Sequence, residues 1–170
     1  FDVLRGGEML GSVSLSVPGL HNASNALAAL AAMDSLGLPV ARAAAALEQF
    51  SGTGRRFDLR GTAEGITVID DYAHHPTEIR ATLQAARAMY AARRIWAVWQ
   101  PHTFSRTRAL QSQFSTAFGD AERVIVTEVY AAREQANGFS AEEVVKGMDH
   151  PGATFIPALA TRTPLPRPAN

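Results

Sequence analysis

From residue 55 to residue 156, short apolar runs take turns with longer stretches in which apolar positions recur every three or four residues. The runs at 66–69, 95–99, 124–129 and 154–156 are rich in Val, Ile and Trp and read as strands, while 76–92, 106–118 and 141–148 carry helical spacing. Strands alternating with helices predict a Rossmann-like α/β fold, a mostly parallel sheet with helices on both faces. A run at 59–62, separated from 66–69 by a turn containing Gly65, predicts an antiparallel edge hairpin. In such sheets ligands bind beyond strand C-termini, so the loops after Ile69, Trp99 and Val129 are expected along one edge and to carry function.

Upstream the period differs. Residues 12–17 alternate polar and apolar as a half-buried strand does, and Pro18-Gly19 ends them. A helix is expected over 26–36, capped by Asn22 and stopped by Gly37, with a second over 40–50. Ser51-Gly52-Thr53-Gly54 breaks the pattern and marks a boundary, giving a helical end-piece over 1–51 and an α/β domain over 52–170. Past Ile156 periodicity is lost and prolines stand at 164, 166 and 168, so the tail over 157–170 is expected to be loosely ordered. Together with Phe1 in first place, the tail predicts a fragment altered or incomplete at both ends.

Sixteen basic and sixteen acidic residues cancel, which removes any general attraction to nucleic acid or anionic membrane and requires an anion site to be local. With no cysteine there is neither disulfide nor thiolate nucleophile, in keeping with a cytoplasmic, reducing compartment. No apolar run reaches membrane-spanning length, so no membrane partner is expected.

The densest chemistry is Asp70-Asp71-Tyr72-Ala73-His74-His75-Pro76-Thr77-Glu78, which puts five carboxyl and imidazole groups at a strand-to-helix turn. A capping turn accounts for Pro76 and Glu78 but leaves the paired acids and imidazoles as functional candidates. The next loop, Gln100 to Arg108, sets His102 and Arg106 four residues apart, a guanidinium fork and an imidazole suited to a small zwitterion. Thr103 or Ser105 is expected to cap the helix that follows, with Arg108 solvated. The loop from Glu128 to Glu134 is less specific and fits an exposed turn equally well. His21, Asn22 and Asn25 share a helix start where side-chain amides can bind ligand oxygens or a polar ring edge. Arg55-Arg56 follows the glycine break, where a hinge could bring a guanidinium onto phosphate. Adjacent histidines with no H-x-x-x-H spacing argue against a protein-bound transition metal. No G-x-x-x-x-G-K-[ST] loop occurs, and Lys146 is the single lysine.

Taken together and in order, HNASN, GTGRRFD, DDYAHHPTEI and QPHTFSRTR make the chain similar to the Mur ligases, nearest to the branch that joins L-alanine to UDP-N-acetylmuramate with ATP and Mg2+ through an acyl phosphate. The similarity runs from about residue 18 to residue 134. It implies that 1–51 ends a central ATPase domain and that 52–170 is the C-terminal domain. It also implies that His21, Asn22 and Asn25 lie in the ATP site, that Arg56 meets phosphate and Asp71 the ribose, and that Tyr72, His74, His102 and Arg106 line the amino-acid pocket. The metal ligands, the P-loop and most of the sugar-nucleotide site belong to domains not in this sequence, and the chain alone is expected to be inactive. Two alternatives remain: the branch that recycles murein peptides, whose loop after Trp99 is expected to differ, and a non-catalytic nucleotide-binding remnant. Folylpolyglutamate synthases share the fold but are not expected to carry DDYAHHPTE.

Overall fold

A computed structural model describes residues 1–135 and 138–158 of the 170-residue chain. The predicted tail over 157–170 therefore lies almost wholly outside the described residues. Two compact units are distinguished, Phe1–Tyr72 and everything from Ala73 onward.

In the first unit, Asp2–Arg5 (β1) and Glu8–Ser12 (β2) pair antiparallel around Gly6-Gly7, whose φ values of 59° and 91° are the positive pair that a two-residue hairpin turn needs. The strand expected over 12–17 is thus displaced upstream. Ser12 faces Asp2, and of the rest of the predicted span Val13 goes on pairing, its amide donating to the Phe1 carbonyl at 2.8 Å. Two helices follow, Leu20–Ser35 (α1) and Val40–Glu48 (α2). Gly37, at φ 71°, follows α1 as expected, but Asn22 is not the N-cap. Gly19 takes that position, and Asn22 sits inside the first turn with its Nδ2 donating to the Pro18 carbonyl at 2.7 Å. Val3, Val13, Leu30 and Ala44 form the buried core, with Leu10, Leu15, Val40 and Leu47 packed against it. The unit ends in a second hairpin, Asp58–Ala63 (β3) and Ile66–Asp70 (β4), joined through Glu64-Gly65.

The second unit holds Pro76–Met89 (α3), Trp96–Trp99 (β5), Phe104–Ala109 (α4), Gln111–Phe114 (α5), Arg123–Val126 (β6), Ala141–Lys146 (α6) and Ala153–Phe155 (β7). Strands β5, β6 and β7 pair parallel in that order, which gives the α/β architecture the sequence predicted. Two details differ. Strand β4 pairs with β3 and with no other strand among the described residues, so the expected common edge is found only for the loops after β5 and β6. The helix expected over 106–118 is two short helices meeting at Leu110, which ends α4 and opens α5.

Strand alternation sorts the β5 side chains. Trp99 is buried and Ala97 partly so, whereas Trp96 and Val98 are 57% and 58% exposed. Val124 and Val126 on β6 have no exposed surface, and the Phe114 and Phe118 rings lie 4.6 and 5.3 Å from that of Trp99. Ile79 and Leu83 of α3 and Val144 of α6 join the same core. No described helix is long and apolar enough to cross a membrane.

Candidate functional site

In the first unit, backbone strain and carboxylates coincide just after the glycine break. Arg55 and Phe57 adopt φ values of 59° and 50°, a left-handed conformation that L-residues hold only when their surroundings fix it. Asp71 is part of what fixes it, since its Oδ2 accepts from the Phe57 amide at 2.8 Å. The Tyr72 amide donates to the Arg55 carbonyl at 2.8 Å, and the Arg55 guanidinium lies 4.8 Å from the Tyr72 ring centre and 3.5 Å from Asp70. Both acids of the DDY sequence thus have structural tasks, which the sequence reading did not assign. Arg56, beside this turn, is exposed. His21, Asn22 and Asn25 share the first two turns of α1, where spacings of three and four residues bring side chains together; Asn25 is exposed and the other two are half-buried.

In the second unit the two histidines divide. His75 caps α3, its Nδ1 accepting from the Thr77 amide at 3.3 Å, while Glu78 accepts from the His75 amide at 3.1 Å and Pro76 opens the helix. Capping thus extends to His75, one of the two imidazoles that the capping reading had left as functional candidates. His74 instead lies beside Glu78, Nδ1 to Oε2 3.7 Å, with its ring 6.3 Å from that of His102.

His102 is the centre of the cluster. Its ring stacks on Tyr130 at 5.3 Å and 20°, and Arg106 donates to the His102 carbonyl at 3.1 Å with the His102 Nδ1 3.5 Å away. The loops that carry them are stitched together: the Tyr130 amide donates to the Pro101 carbonyl at 2.8 Å, and His102 and Tyr130 form an isolated parallel bridge.

Glu134 completes the stitching. It accepts from the Thr103 hydroxyl at 2.5 Å, from the Ser105 amide at 2.9 Å and from the Ser105 hydroxyl. Those bonds, from Ser105 first and then Thr103, hold its carboxyl down at about 2. Neither Thr103 nor Ser105 caps α4 with its own side chain; the carboxylate of Glu134 takes the orphan amide instead. The adjacent Glu128 does the same for α6. Burial pushes its carboxyl up, but bonds from the Ala141 and Val129 amides and the Ser140 hydroxyl outweigh this and hold it below the ordinary range. Arg108 is not simply solvated, because its guanidinium lies 5.0 Å from the Phe139 ring centre.

The structure places His74 and Arg106 beside His102 and adds Tyr130 and Glu134 from the loop judged unspecific. The signal available in the sequence was an aromatic and an acid just past the β6 strand end, where parallel sheets place function. Among the described residues no group of three or more His, Asp or Glu stands close enough to hold a metal ion.

Residues 55–163 match the family model for the Mur ligase, glutamate ligase domain, well over half of the chain. The chain belongs to the Mur ligase family. A UDP-N-acetylmuramate–L-alanine ligase of Caldanaerobacter subterraneus subsp. tengcongensis is 50% identical over 138 residues, which cover 81% of this chain and 30% of that protein. Among solved structures, the UDP-N-acetylmuramate–alanine ligase MurC of Thermotoga maritima superposes with a TM-score of 0.65 at 36% identity, over 86% of this chain and 31% of that one. A murein peptide ligase of Psychrobacter arcticus gives 0.62 at 31% identity, over 86% and 31%. This Mur ligase chain therefore spans about a third of the length of the relatives it matches.

Proposed function

We propose that this chain is part of an ATP-dependent Mur ligase that joins L-alanine to the carboxylate of UDP-N-acetylmuramate in peptidoglycan synthesis, in the cytoplasm. The observation that carries the reading is the convergence of His102, Arg106 and His74 beyond the β5 end, a cationic fork and two imidazoles whose chemistry suits a small zwitterion. In this reading Arg106 takes the alanine carboxylate, and His74 and His102 bound the pocket. His21, Asn22, Asn25, Arg56 and Asp71 serve the nucleotide. The domain beginning near residue 52 is the family's C-terminal domain, and residues 1–51 close its central one.

ATP supplies a phosphoryl group that turns the muramyl carboxylate into an acyl phosphate. The alanine amine, having lost a proton, then attacks the acyl carbon; a C–N bond forms, the C–O bond to phosphate breaks, and inorganic phosphate leaves. The residues of this chain contribute by orienting the amine and neutralising carboxylate charge rather than by bonding covalently to substrate. Mg2+, which the family reaction uses, is given no ligand here, and no step is assigned to it.

The likeness to the murein peptide ligase supports a second reading in which a peptide replaces L-alanine. One experiment separates the two. The chain is mixed with a separately expressed N-terminal and central piece of an alanine-adding ligase, and ADP release is followed with UDP-N-acetylmuramate plus L-alanine or plus tripeptide. Release only in the mixture and only with L-alanine, lost on Asp71→Ala or Arg106→Ala, is expected. Release with tripeptide alone moves the chain to the recycling branch, and release by the chain alone overturns its assignment as an incomplete ligase.

A further inference from the structure

We propose that Glu134 is a positioning residue for the amino-acid pocket: it clamps the Thr103–Ser105 turn and so fixes His102 and Arg106, with Tyr130 as the plate on which His102 is held. The proposal rests on the reading of that region as the alanine pocket, and it assigns a task to a loop the reading itself leaves unused.

Three observations carry it. First, Glu134 spends its acceptor sites on one target. Thr103 Oγ1, Ser105 N and Ser105 Oγ all donate to it, and those two residues lie between the two pocket side chains, one and three positions after His102 and three and one before Arg106. A carboxylate that only capped a helix needs the amide alone; here both flanking hydroxyls are drawn in as well. Second, the same short loop supplies Tyr130, whose ring stacks on His102 and whose amide bonds to Pro101. The loop after β6 therefore holds the loop after β5 at Pro101, at the His102 ring and at the Thr103–Ser105 turn. Third, Glu134 touches neither His102 nor Arg106 directly in any recorded bond, so its influence on them is through the backbone it fixes. Acceptor count reinforces this, because three donors occupy most of the roughly four lone-pair sites of a carboxylate and leave little capacity for a ligand. The side chains that face the pocket are thus held from behind, as a site that orients a nucleophile within a fraction of an ångström requires.

The test uses the 170-residue chain and nuclear magnetic resonance. In Glu134→Ala the carboxylate is removed and the Ser105 amide loses its acceptor. Exchange of that amide should rise about tenfold or more, the factor that follows from losing a hydrogen bond to a charged group. The His102 ring protons should also leave their stacked shift and move toward the values seen in Tyr130→Leu, while the Val124 and Val126 amides of the core stay protected. If Ser105 exchange rises and the His102 signals do not move, Glu134 is only a cap and the proposal is wrong. If core protection is lost too, Thr103→Val and Ser105→Ala remove the partners one at a time and leave the acid in place; unmoved His102 signals in both would equally overturn the clamp. L-alanine and D-alanine titrations of the unaltered chain, followed at His102 and Arg106, test the pocket reading separately. No shift with L-alanine counts against the pocket, whereas the clamp stands or falls on the loop signals.

Discussion

Replacing Phe114 by Ala removes a ring that is 1% exposed and lies 4.6 Å from Trp99 at 35°, between α5 and the sheet. A buried Phe→Ala change costs about 3–5 kcal/mol, transfer and cavity terms together, of which roughly 0.5–1.5 kcal/mol is the aromatic pair. A domain is stable by about 5–15 kcal/mol, so the variant should lose between a fifth and nearly all of it. At roughly 4–8 °C per kcal/mol for a unit of this size, the melting midpoint should fall by more than about 12 °C. Urea unfolding followed by tryptophan fluorescence reads it directly, since the chain has two tryptophans and both are on β5. In a Trp96→Phe background only Trp99, the partner of the deleted ring, reports. Trp96→Ala is the comparison, because that side chain is 57% exposed and should cost below about 1 kcal/mol. A Phe114→Ala cost under about 1 kcal/mol, or one equal to that of Trp96→Ala, would refute the assignment of one buried and one open face to β5.

Acid should loosen the second unit in a defined window. Glu134, held at about 2 by Ser105 and Thr103, and Glu128, held below its ordinary value, both bind fewer protons folded than unfolded. Their contribution is complete above the unfolded carboxylate range near 4.5 and disappears as pH falls from there through the folded values, so the melting midpoint should drop between about pH 5 and 2, with a shallower slope in Glu134→Gln. Glycines 152 and 119 should respond oppositely to Ala. A Cβ on Gly152 would stand 2.5 Å from the Glu122 carbonyl and 3.2 Å from the Arg123 side chain, at a cost of about 1–3 kcal/mol or more, whereas one on Gly119 meets nothing within 4 Å and should be tolerated; thermal melts of the two variants check this.

Element type was largely legible from the sequence because the periods of two and 3.6 are set by burial, and residues such as Val124, Val126, Ile79 and Leu83 are buried on the faces their spacing implies. The misses are those where partners far along the chain decide. The strand lies at 8–12 rather than 12–17 because the hairpin turn at Gly6-Gly7, the overlooked sign, sets its register. Asn22 looked like a cap, yet Gly19 at φ 100° took the position three residues earlier. At the site, His102 and Arg106 could be picked out from side-chain chemistry alone. The link from Glu134 to Thr103 and Ser105 spans about thirty residues, and no local pattern encodes it.

The parallel ladder of β5 and β6 does not stop where the strands do; it resumes at the bridge between His102 and Tyr130, and the Thr127 amide bonds to the Trp99 carbonyl on the way. Inserting or deleting one residue between Trp99 and His102 would shift His102 by about 3.3 Å and turn its side chain to the opposite side. Length in these two loops is therefore under the same restraint as strand register, while side-chain identity is not. A library aimed at a new amino acid should accordingly exchange residues at fixed positions and leave insertions to segments outside the ladder.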